Sequence, residues 1–274
     1  MMESEFVALF DRVEATAARL PLDETGTVAL IDDAARDRAS SSITGSDVVS
    51  CVASPPTIAI DSSTDSIPGE RWTAWNETHA FEAHGRSGAT HIDGFRHFQW
   101  DGRGYGRGVD GRDLEAISHR GIFTRGVFVD LSEAAHRGDV PPGTPCSPDC
   151  LSAILARDEV ELLPGDALVI RLSRADGLVG GLSVHCIDAL QTAGISLIVT
   201  DDGAESVPSE VHGVVVPWHV LALVAAGIHL VDLADLDRLA AACLRYGRTT
   251  FALSLGITAF SGATSALAAP LAIF

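Results

Sequence analysis

The chain has 274 residues, of which 46% are hydrophobic and 20% charged, so it can bury a large core and is neither disordered nor fibrous. Its net charge is −18, and all 19 basic residues are Arg, with no Lys. We expect no nucleic-acid partner and no membrane partner, because binding to phosphates needs a basic stripe that no window supplies. The lack of Lys also excludes Schiff-base chemistry on a lysine.

The first segment, Glu3 to Leu20, carries apolar side chains at intervals of four and three, which predicts an amphipathic helix. Its apolar stripe consists of Phe6, Phe10, Val13, Ala17 and Leu20. The stripe must cover either the body of its own subunit or a partner subunit, and packing within the subunit is the simpler interpretation. The acidic N-terminus has no apolar run of the secretory type, which predicts a cytoplasmic protein.

The middle of the chain alternates short apolar runs with helical stretches. Ala39–Asp47 and Asp61–Asp65 are rich in Ser, Thr and Asp and are predicted to be surface loops. The predicted strands are Thr78–Ala83, Gly126–Leu131, Ala167–Leu172, Ser196–Thr200, Val214–Val216 and Thr249–Leu255. The predicted helices are Asp149–Ala156, His185–Ala193, His219–Ala226 and Leu233–Arg245. Strands this apolar are typical of sheets buried on both faces, so we predict an α/β fold with a mixed sheet.

The five cysteines are odd in number and scattered, which indicates reduced thiols rather than a disulfide framework. Cys146 and Cys150 have a spacing that can bind zinc, but the local sequence offers no further ligands. The simpler interpretation is a loop that enters a helix, with Ser147 as N-cap and Pro148 in the first turn. The longest apolar stretch is too short and too interrupted to span a membrane.

Three histidines lie close together in the sequence, at His84, His91 and His97, and Asp93 lies between the last two. On a strand, residues two apart share a face, so His91 and Asp93 can lie side by side. Gly94 permits a turn that brings His97 back toward them. Such a set is typical of a catalytic divalent ion with an open coordination position. The alternative is a group of inert polar residues at the end of a strand.

The amino-acid sequence around these histidines resembles the signature of the putative cyclase family, which includes bacterial kynurenine formamidase and isatin hydrolase. The first matching segments are Gly88-Ala89-Thr90-His91-Ile92-Asp93, His97-Phe98, Trp100-Asp101-Gly102 and Tyr105. Downstream matches are Thr200-Asp201-Asp202-Gly203-Ala204-Glu205, Pro208-Ser209-Glu210, Pro217-Trp218-His219, the stretch 227–232 and Pro270-Leu271-Ala272-Ile273. The resemblance extends over roughly residues 70 to 274.

The resemblance implies a swivelling β/β/α-type single domain with a mixed sheet and an N-terminal helical arm. We divide the chain into residues 1–50, the helical arm and loop, and residues 51–274, the cyclase/formamidase-like catalytic domain. The resemblance also implies a homo-oligomer, either a dimer or a tetramer, and a site for zinc or manganese. The metal ligands that it implies are His91, Asp93, His97, His219 and Asp232.

Two departures from the family pattern predict one metal ion rather than two, and leave a metal-free site as an alternative. The first histidine of the family motif falls on Ser87, and Asp232 stands where glutamate is usual. A serine hydroxyl is a poor zinc ligand. His84 replaces the lost ligand if the chain bulges at Gly85 to Gly88. Phe95 also replaces the proline of the motif.

We expect a metal-dependent hydrolase that cleaves an amide, lactam or ester of a small cyclic or aromatic substrate. Asp93 is the expected central ligand, His97 the expected proton shuttle, and His219 a ligand or a second acid/base. Trp72, Phe95, Trp100 and Glu205 are the expected substrate contacts, although core packing explains each aromatic residue equally well. One alternative is a ring-forming cyclase or dehydratase of natural-product biosynthesis, with weak or no metal. Another is a family member that only binds a small molecule.

Overall fold

The computed structural model describes residues 1–53, 59–66, 71, 74–80, 88–106 and 111–274. Within these residues the strands are β1 (Val48–Ser50), β2 (Ala59–Asp65), β3 (Ala74–Ala80), β4 (His91–Asp93), β5 (Ile122–Asp130), β6 (Ala167–Arg171), β7 (Ser173–Ala175), β8 (Leu178–Gly180), β9 (Leu197–Thr200), β10 (His229–Asp232), β11 (Thr250–Thr258) and β12 (Ser265–Ile273).

The helices are α1 (Glu3–Ala17), α2 (Asp33–Ser41), α3 (Asp113–Arg120), α4 (Leu131–Arg137), α5 (Pro148–Arg157), α6 (Ile187–Ala193), α7 (Pro217–His219) and α8 (Asp237–Tyr246). Helix α7 continues directly as a π-helix, Val220–Ala226. Short 3₁₀ turns precede α2 and α6, at Thr27–Leu30 and Val184–Cys186.

The main sheet is mixed and closes on itself. Its order is β1-β12-β11-β5-β6-β9-β10-β4, and β4 pairs again with β12. Seven strands, β12, β11, β5, β6, β9, β10 and β4, therefore form a closed barrel. The eighth strand, β1, pairs only with β12 in this sheet. The pairs β5–β6, β6–β9 and β9–β10 are parallel, and the remaining pairs of this sheet are antiparallel. The predicted α/β domain with a mixed sheet is confirmed.

The parallel strands β6, β9 and β10 are buried on both faces, as their apolar sequences predict. In β6, Leu168 and Ile170 belong to one core cluster, whereas Ala167 and Val169 belong to the other. This alternation follows from the two-residue period of a strand. Helices α1, α5 and α6 contribute to the first cluster, and α3 and α8 contribute to the second.

Helix α1 packs within its own chain. Phe6, Phe10 and Val13 are fully buried, in the same cluster as the barrel residue Leu168. The rings of Phe6 and Phe10 lie 5.4 and 6.4 Å from the ring of Trp100. The apolar stripe is therefore covered by the subunit itself, which confirms the simpler interpretation. The division into 1–50 and 51–274 stays a prediction.

Three predictions of local structure are wrong. Asp61–Asp65 belongs to β2, which pairs only with β3 among the described strands. The described side chains of this two-stranded ribbon are exposed. Its sequence therefore does not show the alternation of apolar and polar residues by which a half-buried strand is predicted. The start of Ala39–Asp47 is the end of α2, and Val214–Val216 is irregular rather than a strand.

The cysteine interpretation is confirmed. All five cysteines are free thiols. The Ser147 side chain accepts a hydrogen bond from the backbone N–H of Cys150, and Pro148 begins α5. Among the described residues, no helix has the length and apolar character that crossing a bilayer requires.

The packing of α1 predicts that it is part of the folding unit. Replacing Phe10 by alanine removes a fully buried ring and should lower the free energy of unfolding by about 3–5 kcal/mol, measured by urea denaturation. Leu244 on α8 is 85% exposed, so Leu244→Ala is the matched control and should change stability by less than about 0.5 kcal/mol. An unchanged unfolding transition for Phe10→Ala would contradict this account.

Candidate active site

The short strand β4 brings the two matching segments of the sequence, the histidine motif and the downstream segment, into one site. It lies between β10 and β12, and its His91 is paired with Asp232 of β10 in the antiparallel register. His91 and Asp93 share one face of β4, while Ile92 between them packs into the second core cluster. The hydrogen bonds of the sheet thus place the first histidine motif directly against the C-terminal end of β10.

Three side chains of this region offer metal-ligating atoms within 4.8 Å of one another: His91, Asp93 and Asp232. The Nε2 atom of His91 lies 3.5 Å from Oδ1 of Asp93. The Nδ1 atom of His91 is 2.8 Å from the carbonyl oxygen of Ala89. That carbonyl can only accept, so Nδ1 carries the proton and Nε2 offers its lone pair to the cluster.

His219 enters the cluster from the first turn of α7, where Glu205 holds it. One oxygen of Glu205 accepts the backbone N–H of His219 at 2.9 Å and lies 2.8 Å from its Nδ1 atom. The other oxygen accepts the N–H of Trp218 at 3.2 Å. One carboxylate therefore satisfies free N–H groups at the start of the helix and also orients the imidazole. The Nε2 atom of His219 then lies 3.2 Å from Asp232 and 3.7 Å from Asp93.

Two further residues contact the two acidic residues. The Thr200 hydroxyl, at the end of β9, donates to the carbonyl oxygen of Asp202 at 2.6 Å and lies 3.1 Å from Oδ1 of Asp232. The fully buried His229 places Nδ1 at 2.8 Å from the carbonyl oxygen of Asp93. The ring of His229 also stacks on Phe95, with centroids 4.1 Å apart. The cluster is therefore supported from the core side of the barrel.

The burial of two carboxylates together shapes the electrostatics of the site. Burial, together with repulsion from Asp232, raises the pKa of Asp93 to about 8, although His219 partly offsets this. Burial also opposes the charge on His219. Its hydrogen bonds with Asp232 and Glu205 outweigh that effect and raise the pKa of His219 to about 10. A proton or another cation is thus strongly favoured between these groups.

His97 lies at the outer edge of the cluster. Its Nε2 atom is 4.0 Å from Oδ2 of Asp93. Its side chain is 26% exposed, compared with 6% for His91 and 1% for Asp93. Of these three side chains, that of His97 is therefore the most accessible to solvent.

The structure brings His91, His97, His219 and Asp232 together around the Asp93 carboxylate, and it packs two of the predicted substrate contacts, Phe95 and Trp100, against other aromatic rings. Phe95 is 1% exposed and packs against His229 and Tyr105 in the core. Trp100 packs against α1, and Glu205 supports His219. Core packing is thus what explains Phe95 and Trp100. Trp72, His84 and Ser87 lie outside the described residues.

Sequence reasoning missed several residues of the site. Thr200 and Gly203 lie in the second matching segment, but nothing marked a role for either. A Cβ atom on Gly203 would lie 3.3 Å from Cε1 of His219, so this position keeps the backbone close to the imidazole. His229 carries no local signal, because its contact with Asp93 joins distant strands. Phe98 belongs to the first motif and contacts the rings of both His97 and His219.

The donor set fits a divalent metal ion. Imidazole nitrogens from His91 and His219 and carboxylates from Asp93 and Asp232 converge, and this mixture of nitrogen and oxygen donors suits zinc or manganese. A cation among them would also relieve the repulsion between the buried carboxylates. Without a cation, the same groups form an acid/base cluster.

Comparison with known proteins agrees with the motifs that form this site. The model of the family described as "Putative cyclase" matches residues 15–204, which is more than half of the chain. The chain belongs to this family. No curated protein matches this cyclase-family chain in sequence.

Solved structures share the fold of this cyclase-family chain at low sequence identity. A crystal structure described as a novel cyclase superposes with a TM-score of 0.77 at 19% identity, covering 97% of this chain and 99% of the other. An isatin hydrolase bound to the product analogue thioisatinate gives a TM-score of 0.55 at 15% identity, covering 86% and 94%. Isatin hydrolase A from Ralstonia solanacearum gives 0.56 at 13% identity, covering 82% and 91%. At these identities the comparison establishes the shared fold.

The contacts of Glu205 predict how it acts on His219. In metal-free protein, Glu205→Gln should lower the pKa of His219, because it removes a hydrogen-bonded negative charge that favours the imidazolium. An NMR titration of the His219 ring measures this shift. Glu133→Gln, which removes a surface carboxylate paired with Arg137, is the control and should leave the His219 titration unchanged. An unshifted pKa in Glu205→Gln would contradict the assigned contact.

The raised pKa of Asp93 predicts pH-dependent metal affinity. Below about pH 8 Asp93 binds a proton, and His219, whose pKa is about 10, is also protonated, so an incoming cation must displace both protons. The apparent affinity for Mn²⁺ should therefore fall as the pH is lowered from 8.5 to 6.5, by about tenfold per pH unit for each displaced proton. Calorimetric titration at several pH values measures this slope. A constant affinity over that range would show that Asp93 does not take part in binding.

Proposed function

We propose that the chain is a metal-dependent hydrolase that cleaves an amide, lactam or ester of a small cyclic or aromatic substrate. The observation that carries the proposal is the convergence of ligand atoms from His91, Asp93 and Asp232 within 4.8 Å, with His219 beside them. Membership of the cyclase family supports it, and so does the fold shared with isatin hydrolases. The cleavage of a C–N bond in an amide or lactam is the preferred reaction within this proposal.

The metal in this proposal is a single zinc or manganese ion. His91, Asp93, His219 and Asp232 would hold it, and His97 lies at the edge of the set. Such an ion supplies a positive charge that polarises a substrate carbonyl and favours the deprotonation of water. The chain itself supplies the orientation of the ligands, through the carbonyl of Ala89 and the side chain of Glu205.

His97 is the proposed proton shuttle. Its side chain is more exposed than those of His91 and Asp93, and its Nε2 atom lies 4.0 Å from Asp93. From this position it takes a proton from the attacking water and returns it to the leaving nitrogen or oxygen. Asp93 lies between His97 and His219, with its Oδ2 atom 4.0 and 3.7 Å from their Nε2 atoms.

A second candidate is a ring-forming cyclase or dehydratase of natural-product biosynthesis with weak or no metal. The observation that favours it is the Glu205–His219 pair, in which a carboxylate lies 2.8 Å from Nδ1 and leaves Nε2 directed at the site. This arrangement positions an imidazole for proton transfer without any metal. The substitution at the first motif position, Ser87, motivates the same alternative.

The remaining expectations belong to the same proposal. The partner is a small-molecule substrate, and neither nucleic acid nor a membrane takes part. We further propose a cytoplasmic homo-oligomer, either a dimer or a tetramer.

Metal analysis combined with chelation tests the proposal. Purified protein should contain about one zinc or manganese ion per chain, and it should hydrolyse formylated aromatic amines or isatin-like lactams until a chelator removes the ion. Asp232→Asn should lose the ion and at least about a hundredfold in kcat/KM, because it removes a charged ligand.

The control for Asp232→Asn is Asp235→Asn, in the loop that follows β10. Asp235 forms an ion pair with Arg238 outside the cluster, so this variant should keep both metal and activity. The hydrolase proposal is wrong if the purified protein neither binds metal nor turns over these substrates. Activity that survives chelation would favour the acid/base alternative.

A further inference from the structure

Three of the five cysteines lie together where helix α5 begins. Cys146 precedes the N-cap, Cys150 lies in the first turn of the helix, and Cys186 lies at the end of a 3₁₀ turn. The thiols of Cys146 and Cys150 are in hydrogen-bonding contact. The Cys186 thiol donates to the carbonyl oxygen of Cys146 at 3.4 Å. None of the three belongs to the candidate active site.

The contact between Cys146 and Cys150 is set by the way the chain enters the helix. The Ser147 side chain accepts the backbone N–H of Cys150 at 3.2 Å. On the other side, the N–H of Cys146 donates to the carbonyl oxygen of Gly181 at 2.8 Å, and its carbonyl oxygen accepts the N–H of Ser183 at 2.9 Å. Backbone hydrogen bonds therefore hold both cysteines, and their thiols lie close together without a covalent link.

The two thiols differ in their access to solvent. Cys150 is half-buried, whereas the other four cysteines are buried, and Cys146 and Cys186 are 0% exposed. Burial raises the pKa of both Cys146 and Cys186, so these two thiols stay protonated at neutral pH. A reagent from solvent therefore reaches Cys150 first and finds Cys146 beside it. An accessible thiol next to a second, resolving thiol is typical of cysteines that are oxidised reversibly.

We propose that Cys146 and Cys150 are a modification site, at which a hydroperoxide oxidises the two thiols reversibly to a disulfide. The site lies outside the proposed hydrolase function and does not depend on it. The remaining pair of neighbouring cysteines, Cys51 and Cys243, lies in the second core cluster and is 2% and 6% exposed. Because neither of these two thiols is accessible, they stay reduced.

The oxidation takes place in two steps. The Cys150 sulfur attacks one oxygen of the peroxide, so that an S–O bond forms, the O–O bond breaks and the thiol proton leaves in a water molecule. The Cys146 sulfur then attacks the resulting sulfenic acid. The S–S bond forms, the S–O bond breaks, and the Cys146 proton leaves in a second water molecule. Each sulfur loses one electron, and the peroxide gains two.

Peroxide treatment of the reduced protein tests the proposal. Trypsin cleaves after Arg137 and Arg157 and releases the peptide 138–157, which contains Cys146 and Cys150 and no other cysteine. After treatment with hydrogen peroxide, denaturation and alkylation with N-ethylmaleimide, mass spectrometry should show that this peptide has lost two hydrogen atoms and is not alkylated. The peptides of the other three cysteines should be fully alkylated. Dithiothreitol should restore both thiols.

Three variants separate the roles of the cysteines. In Cys146→Ser, Cys150 has no resolving thiol, so its sulfenic acid should persist and be trapped by dimedone. Cys150→Ser should keep its four remaining thiols reduced. Cys186→Ser is the matched control, because it removes a neighbouring buried thiol and should form the disulfide as the wild type does. Circular dichroism shows whether each variant is folded, and Cys146→Ala replaces Cys146→Ser if the latter does not fold.

Four outcomes would overturn the proposal. In the wild type they are a peptide 138–157 with both thiols still alkylated, a disulfide that links this peptide to the peptide of Cys186, or sulfinic acid at Cys150 without any disulfide. The fourth is a Cys150→Ser variant that loses thiols as fast as the wild type. These measurements require neither metal nor turnover, so the hydrolase proposal stands or fails separately.

Discussion

The structure depends on the burial of two carboxylates, Asp93 and Asp232, beside each other. Isolated negative charges are costly to bury, and two of them together repel each other. The chain compensates with imidazoles on several sides, and the contacts of His91 and His219 to Asp93 are 3.5 and 3.7 Å. A cluster of this kind favours a proton or a metal cation at its centre. Every other feature of the site orients these four side chains.

The strand that carries Asp93 also closes the barrel. β4 has only three residues, yet it pairs with β10 on one side and with β12 on the other. The same backbone hydrogen bonds therefore close the sheet and set the distance between Asp93 and Asp232. Glu205 has a similar double role, because it satisfies N–H groups at the start of α7 and orients His219. Fold and candidate site thus share their stabilising interactions.

Local patterns predicted the elements that have a buried face. β6 and α5 were predicted nearly to their ends, because apolar alternation and a Ser-Pro helix start mark them directly. The ribbon strand β2 was predicted to be a loop, since its exposed polar residues carry no such pattern. β12 was missed because Ala is a weak strand former and because Pro270, which lies inside the strand, is disfavoured there. The prediction of strands therefore failed where the sequence shows no alternation of buried and exposed residues, or where its residues are weak strand formers.

The sequence by itself determined the α/β class and the family, because apolar strands and ordered motifs are local properties. The spacing on a strand and a turn grouped His91, Asp93 and His97, whereas only the family resemblance implied that His219 and Asp232 join them. Only the tertiary structure decided what the surrounding residues do. It assigned Glu205 to the support of His219, moved Phe95 into the core and placed Phe98 against the imidazoles. The physical reason is that these contacts join elements far apart in the chain. Their geometry arises from the closure of the barrel and the packing of α7, which no local pattern encodes.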